Sequence, residues 1–218
     1  MKKAIILMGS FLILIVSACS SNTEGNEEKI NLEEIEKIFI KNGSQKLSLI
    51  STNSNELKVS SGKKDVEIST NGSEITLKPK QQLVQIGPRF NQHSELIVEI
   101  PSEYNGQVIV DGSSGDVTAE GLELVDLIVN SKSGSIKLDF TKIDSNIEVD
   151  TVSGNVEVIL NNNQSNINLK AQTTSGNQVI AIALDEIINQ SNKNFEGRSG
   201  DGSLSVNILT VSGNITIK

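Results

Sequence analysis

The amino-acid sequence predicts an all-β protein whose C-terminal half is a parallel β-solenoid, a coil in which each turn adds one strand to each sheet. Two observations support this fold class. A short Ser-Gly word recurs at nearly constant spacing, and aliphatic residues stand at fixed distances from each of its glycines. The composition agrees, because aromatic residues make up only 3% of the chain and a narrow interior of Val, Ile and Leu needs few large rings.

The Ser-Gly words define the repeat. Their glycines are 19, 20, 22, 24 and 13 residues apart, and a period near twenty is typical of solenoids. These glycines are Gly115, Gly134, Gly154, Gly176, Gly200 and Gly213. The alternative is a series of antiparallel hairpins in which each word is a tight turn. Small residues both one and three positions before the glycine favour parallel stacking, because hairpins do not require them.

Side-chain parity assigns the inner face of each repeat. Val149 precedes Gly154 by five residues, and Val156 and Val158 follow it by two and four. Because strand side chains alternate with a period of two, these three residues share one face and Glu157 points outward. The pattern recurs around the other words, so each word is predicted to be a corner between two strands with aliphatic inner faces.

The corners make further predictions about polar residues. Ser133 and Ser153, which directly precede a glycine, are predicted to stack inside adjacent rungs. Asp116 and Asn155, which directly follow one, are predicted to hydrogen-bond neighbouring backbone groups.

Two segments depart from the regular repeat. Residues 184–197 are predicted to bulge out as a loop or a single helical turn, and the short final spacing predicts a half rung or a closing hairpin.

The N-terminus predicts export and lipid anchoring. Lys2 and Lys3 precede an apolar run over residues 4–16, which is short for a membrane span and typical of a secretory signal. The run ends in Val16-Ser17-Ala18-Cys19, which resembles the bacterial lipobox, and this resemblance implies that Cys19 is diacylated. Two acyl chains hold a protein on a bilayer where one does not, at about 0.8 kcal/mol per buried CH₂. A plain signal peptide with a chance Cys is the alternative.

These signals divide the chain into four segments. They are a lipoprotein signal peptide (1–18), a disordered polar tether (19–34), an N-terminal β region that leads into the solenoid (35–107) and the solenoid repeats (108–218). Within the N-terminal β region, Asn42-Gly43 and Asn71-Gly72 predict hairpin turns. The least patterned stretch, residues 81–95 with Arg89, Phe90 and His93, is predicted to be an inserted surface loop.

A family resemblance extends over residues 35–218. It is carried by the sequence LIVEIPSEYNGQVIVDGSSGDVTAEGLELVDLIVNSKSGSIKL. This order resembles the bacterial "putative adhesin" repeat family, in which a strand ending in Ile-Pro leads into Ser-Gly-Asp-Val words about twenty residues apart. The resemblance implies a right-handed parallel β-helix, a role in adhesion or in cell-envelope stress, and no family catalytic residues.

Charge and composition argue against several classes of function. The net charge of −8 disfavours a nucleic-acid partner. One Cys and one His preclude a disulfide within the chain and a Cys/His metal cluster. No catalytic, cofactor-binding or metal-binding residue is predicted, and no cofactor is expected. His93 is interpreted as a solvated loop residue, and the lysines near the repeats as unclustered.

The leading hypothesis is a non-enzymatic lipoprotein, anchored through Cys19 at the extracytoplasmic face of the cell membrane. It would serve as an adhesin-like surface interaction module of the cell envelope. Its expected partners are the lipid bilayer and an envelope glycan or protein that contacts a face of stacked Ser, Thr and Asn. One alternative is a carbohydrate-active enzyme on a β-helix, which clustered outward carboxylates would favour. Another is an envelope-stress or structural protein without an external ligand.

Overall fold

The structure, a computed structural model, describes residues 27–62, 66–80, 95–122, 126–160 and 166–218. Cys19 and the predicted signal peptide lie outside the described residues, as do Arg89, Phe90 and His93. Their predicted roles therefore stay predictions.

Nineteen strands form two sheets within the described part of the chain. In chain order the strands are β1 (Glu27–Asn31), β2 (Lys37–Gly43), β3 (Lys46–Thr52), β4 (Glu56–Ser61), β5 (Val66–Asn71), β6 (Glu74–Pro79), β7 (Glu95–Pro101), β8 (Gln107–Gly112), β9 (Val117–Glu120), β10 (Asp126–Ser133), β11 (Ile136–Phe140), β12 (Ile147–Ser153), β13 (Val156–Leu160), β14 (Ile167–Ser175), β15 (Gln178–Ile180), β16 (Glu186–Gln190), β17 (Asn194–Arg198), β18 (Leu204–Ser212) and β19 (Ile215–Ile217). The described residues include no helix able to span a membrane.

The two sheets are built from rungs, each a pair of consecutive strands that places one strand in each sheet. The nine-stranded sheet has the order β1-β4-β7-β3-β9-β11-β13-β19-β15. The ten-stranded sheet has the order β16-β17-β14-β18-β12-β10-β8-β2-β6-β5. Neighbouring rungs pair in parallel, as in the match of β10 with β12 and of β11 with β13. The predicted all-β, solenoid-like architecture is therefore confirmed.

The spatial order of the rungs differs from their order along the chain. The last rung, β18–β19, lies between the β12–β13 rung and the β14–β15 rung, with parallel partners on both sides. The prediction of a half rung or closing hairpin at this end is wrong. The short final spacing arises because Gly200 sits in a turn before β18 rather than at a corner. The first rung, β2–β3, is likewise inserted between β6 and β8 in one sheet and between β7 and β9 in the other.

The predicted parity holds along the strands. Val149, Val156 and Val158 are at most 1% exposed, and they belong to one apolar cluster to which both sheets contribute. Glu157, between the two valines, is partly exposed on the outer surface. In-register pairing stacks aliphatic residues on aliphatic residues from rung to rung, so each rung buries its neighbour's inner face.

The two Asn-Gly signals of the N-terminal β region have different outcomes. Asn71-Gly72 joins β5 to β6 in an antiparallel hairpin, as predicted. Asn42-Gly43 instead marks a corner, because β2 and β3 belong to different sheets. The buried Asn42 side chain donates to the carbonyl oxygen of Gln45 at 2.8 Å, which closes this corner locally.

Antiparallel strands cover the ends of the stack. β1 pairs with β4 and lies inside the range 19–34 predicted as a tether. Ile30 packs against the core, and Leu32 just beyond the strand is buried, which gives this short segment a reason to be ordered. Residues 184–197 contain the β16–β17 hairpin, which pairs antiparallel with β14, rather than the predicted loop or helical turn. This hairpin covers the edge of β14 and makes β16 the edge strand of the ten-stranded sheet.

Candidate interaction surface

Five of the Ser-Gly glycines form one column at the corners. In spatial order they are Gly115, Gly134, Gly154, Gly213 and Gly176. A Cβ added at Gly134 would lie 2.6 Å from the carbonyl oxygen of Gly115, and one added at Gly154 would overlap the carbonyl oxygen of Gly134. The repeat therefore requires glycine because each rung's backbone sits directly against the next glycine.

The serines that precede these glycines form a second column, on the outside. Ser133, Ser153, Ser212 and Ser175 pair in register on β10, β12, β18 and β14. Their stacking was predicted, but the inward orientation was wrong, because Ser153 is exposed and Ser133 is only half-buried. The strand bends at the corner, so the period-two alternation that buries Thr151 no longer applies two residues later.

The residues that follow the glycines form a hydrogen-bonded ladder. An oxygen of the Asp116 side chain accepts a bond from the Ser135 backbone N–H at 2.8 Å. The Asn155 side chain accepts from the Asn214 N–H at 3.0 Å, and the Asn214 side chain accepts from the Asn177 N–H at 2.9 Å. This confirms the predicted backbone bonding and fixes the rungs at the corner. The exposed serine column and this ladder together make up the polar corner.

A family model described as Toastrack DUF4097 matches residues 35–140 and again residues 120–218. The chain belongs to the Toastrack DUF4097 family. The two matches overlap near the middle of the Toastrack chain. The first includes the β2–β3 rung and the second includes the β18–β19 rung, the two rungs whose spatial position differs from their order along the chain. No curated protein matches the chain significantly.

One solved structure resembles this Toastrack chain in fold. A putative cell adhesion protein from Clostridium sporogenes is 18% identical, covers 89% of this chain and 99% of its own, and superposes with a TM-score of 0.60. A putative adhesin from Bacteroides fragilis is 12% identical and covers 90% of this chain and 98% of its own, with a TM-score of 0.30. Only the first superposition bears on the fold.

Two threonine hydroxyls on the inner side of the Toastrack corner lie within hydrogen-bond distance of carbonyl oxygens in the glycine column. Thr173 Oγ1 donates to the Gly213 oxygen at 2.9 Å, and Thr210 Oγ1 lies 3.5 Å from the Gly154 oxygen. The equivalent Thr151 is fully buried, but its Oγ1 has no partner among the described residues. An unpaired buried hydroxyl costs stability, whereas a paired one contributes to it.

This contrast gives a prediction for two matched substitutions. We expect Thr173→Val to lower the free energy of unfolding by about 1 kcal/mol, because a buried hydrogen bond is lost. Thr151→Val should leave it unchanged or raise it by up to about 1 kcal/mol, because an unpaired hydroxyl is removed at nearly constant volume. Urea unfolding of both variants measures the two effects. Equal losses would contradict the assigned pairing.

Three outward carboxylates of the described repeats, Glu148, Asp150 and Glu157, lie on different sheets. Glu148 and Asp150 are exposed on β12 in the ten-stranded sheet, whereas Glu157 lies on β13 in the nine-stranded sheet. Across the described ranges, no group of three or more His, Cys, Asp and Glu side chains is arranged to hold a metal ion.

An acidic groove of about 610 Å³ lies at the N-terminal end of the body. Its lining includes Glu33, Glu34, Glu36, Glu103 and Tyr104. Tyr104 is only 7% exposed, and burial, assisted by the charge of Glu36, raises the pKa of its phenol to about 12. The phenol therefore stays protonated at neutral pH, and the charge of the groove disfavours anionic ligands.

A cluster of lysines forms a second, basic groove, to which the repeats contribute Lys132 and the N-terminal β region contributes the other lysines. A groove of about 690 Å³ on the outer side of the ten-stranded sheet is lined by Lys41, Lys78, Lys80 and Lys132, with Glu67 and Asp111 beside them. Lys132 belongs to the regular repeats, but Lys41 and Lys78 come from the N-terminal β region. Only the inserted position of β2 brings them together.

Proposed function

We propose that this Toastrack chain is a non-enzymatic, lipid-anchored interaction module on the extracytoplasmic side of a bacterial cell membrane. The polar corner carries the proposal. It presents serine side chains on four adjacent strands, with the hydrogen-bonded ladder of Asp and Asn side chains beside them. A polar surface that repeats in this way suits an envelope partner built from repeating units. The fold neighbour described as a cell adhesion protein supports an adhesin-like role. The coil is proposed to be right-handed, as parallel β-crossovers generally are.

Anchoring rests on Cys19, and its replacement is the first test. We expect Cys19→Ala to abolish metabolic labelling with palmitate and to shift the chain from the membrane fraction to the medium or to an uncleaved precursor, because no thiol remains to be acylated. Labelling with immunoblotting of fractions measures both effects. Persistent palmitate incorporation in this variant would rule out the lipobox assignment.

The interaction role is tested separately from the anchor. The full chain carrying Cys19→Ala should co-sediment with delipidated cell-wall material, and the wall glycans should be recovered uncleaved. Release of soluble sugar fragments would favour a carbohydrate-active enzyme. Absence of any co-sedimentation would favour an envelope protein without an external ligand.

A further inference from the structure

The lysine groove lies where four neighbouring strands of the ten-stranded sheet meet the corner. β6, β2, β8 and β10 are adjacent in that order, and they contribute Lys78, Lys41, Asp111 and Lys132 to the outer surface. Neighbouring strands lie about 4.8 Å apart, so β2 and β10, which carry Lys41 and Lys132, are about 10 Å apart across the sheet. Ammonium groups on two such strands can contact successive charges of one polymer.

The local charge of the groove is opposite to that of the protein. Four lysines stand against Glu67 and Asp111, a local charge of +2 on a chain whose net charge is −8. Glu67 pairs with Lys78 at 3.0 Å. Lys41 and Lys132 are exposed, and neither forms an ion pair within the described residues. These two ammonium groups are the ones available to an external anion.

An apolar strip lies beside the lysine groove. The Lys41 Nζ atom lies 5.1 Å from the centroid of the Phe39 ring, an arrangement that holds the ammonium group above the sheet. Phe39 pairs in register with Ile109, which pairs with Ile128, and all three are half-buried on the outer side. Ligand sites typically combine apolar contacts with a few placed polar groups, and this strip lies next to the groove on the same outer surface.

We propose that the lysine groove binds a carboxylated polysaccharide, with Lys41 and Lys132 contacting two carboxylates of one chain. The apolar strip from Phe39 to Ile128 receives the C–H faces of the sugar rings. Asp111 on β8, the strand between the two lysines, accepts hydrogen bonds from sugar hydroxyls, and Ser113 just after β8 exchanges them. This proposal rests on the proposed interaction function. It names the class of partner that binds one surface of the protein, the lysine groove.

The test compares polymers that differ only in charge. The full chain should bind oligomers of polygalacturonate, and the affinity should fall as ionic strength rises, because screened lysines attract carboxylates less. Fully methyl-esterified polygalacturonate, which has the same backbone without charges, should bind at least about tenfold more weakly. Equal binding of the two polymers overturns the proposal, as does failure of polygalacturonate to bind. Binding of polyphosphate in place of polygalacturonate also overturns it.

Charge reversal locates the site. The double variant Lys41→Glu/Lys132→Glu should lose about tenfold or more in affinity for polygalacturonate. Lys170→Glu makes the same kind of change on β14, an exposed position of the same sheet three strands from β10, and should alter the affinity by less than about twofold. Unchanged melting temperatures exclude misfolding. Equal affinities of the double variant and wild type overturn the proposal.

Delipidated cell walls separate this proposal from the proposed function. If the wild type co-sediments with cell walls but does not bind polygalacturonate, the groove assignment is wrong and the interaction role stands. If the wild type does not co-sediment at all, the interaction role itself fails.

Discussion

Gly154→Ala is expected to lower the free energy of unfolding by about 3 kcal/mol. The new methyl group would overlap the carbonyl oxygen of Gly134 in the neighbouring rung, and backbone cannot rotate away as a flexible side chain can. The backbone of Gly154 lies outside the left-handed region, so the loss is steric rather than conformational. Urea unfolding followed by far-UV circular dichroism measures the change.

Two controls isolate the close approach of the rungs. Ser153→Leu adds a larger side chain one residue earlier, but this position is exposed, so we expect a change within about 0.5 kcal/mol. At Gly62 the added Cβ of Gly62→Ala would have no neighbouring atom within 4 Å among the described residues, so this change should be neutral or slightly stabilising. If Ser153→Leu lost as much stability as Gly154→Ala, the Ser153 side chain would have to point into the corner. The close approach of the rungs at the glycines would then not explain the loss.

The difference between Ser153 and Gly154 shows how far the sequence could predict this fold. Along a strand, side-chain orientation follows a period of two, so the burial of Val156 and the exposure of Glu157 were predictable from spacing alone. At a corner the backbone bends and the period fails. The requirement for glycine comes from the carbonyl of the adjacent rung, a contact between residues about twenty positions apart that parity does not encode.

The rung order was unpredictable for a related reason. A repeat of similar rungs allows each rung to pair with any other, because their inner faces carry the same aliphatic pattern. The β18–β19 rung therefore fits beside β12–β13, whereas the outer rung β14–β15 differs by Gln178 at the position of Ile215 and by the β16–β17 hairpin that follows it. The insertion of β2 beside β8 likewise created the lysine groove from residues as distant as Lys41 and Lys132.

Val158→Asp is expected to unfold the central rungs. Val158 is fully buried and stacks between Leu138 on β11 and Ile217 on β19, so the new carboxyl would have apolar neighbours on both sides. Burying such a group without a partner costs several kcal/mol, even if the carboxyl takes up a proton. Because this cost is comparable to the whole stability of a domain of this size, we expect loss of cooperative unfolding at neutral pH.

Glu157→Lys, one residue earlier, is the matched control. Glu157 lies on the outer surface 2.7 Å from Lys218 Nζ, and the hydrogen bond with Lys218 holds the pKa of this carboxyl below its usual value. A partly exposed ion pair of this kind contributes at most about 1 kcal/mol, and the new lysine would also face Lys137 across the sheet. The control should therefore unfold cooperatively, with a melting temperature only a few degrees lower. If Val158→Asp and Glu157→Lys melted alike, the inner face of the solenoid would be assigned to the wrong side of β13.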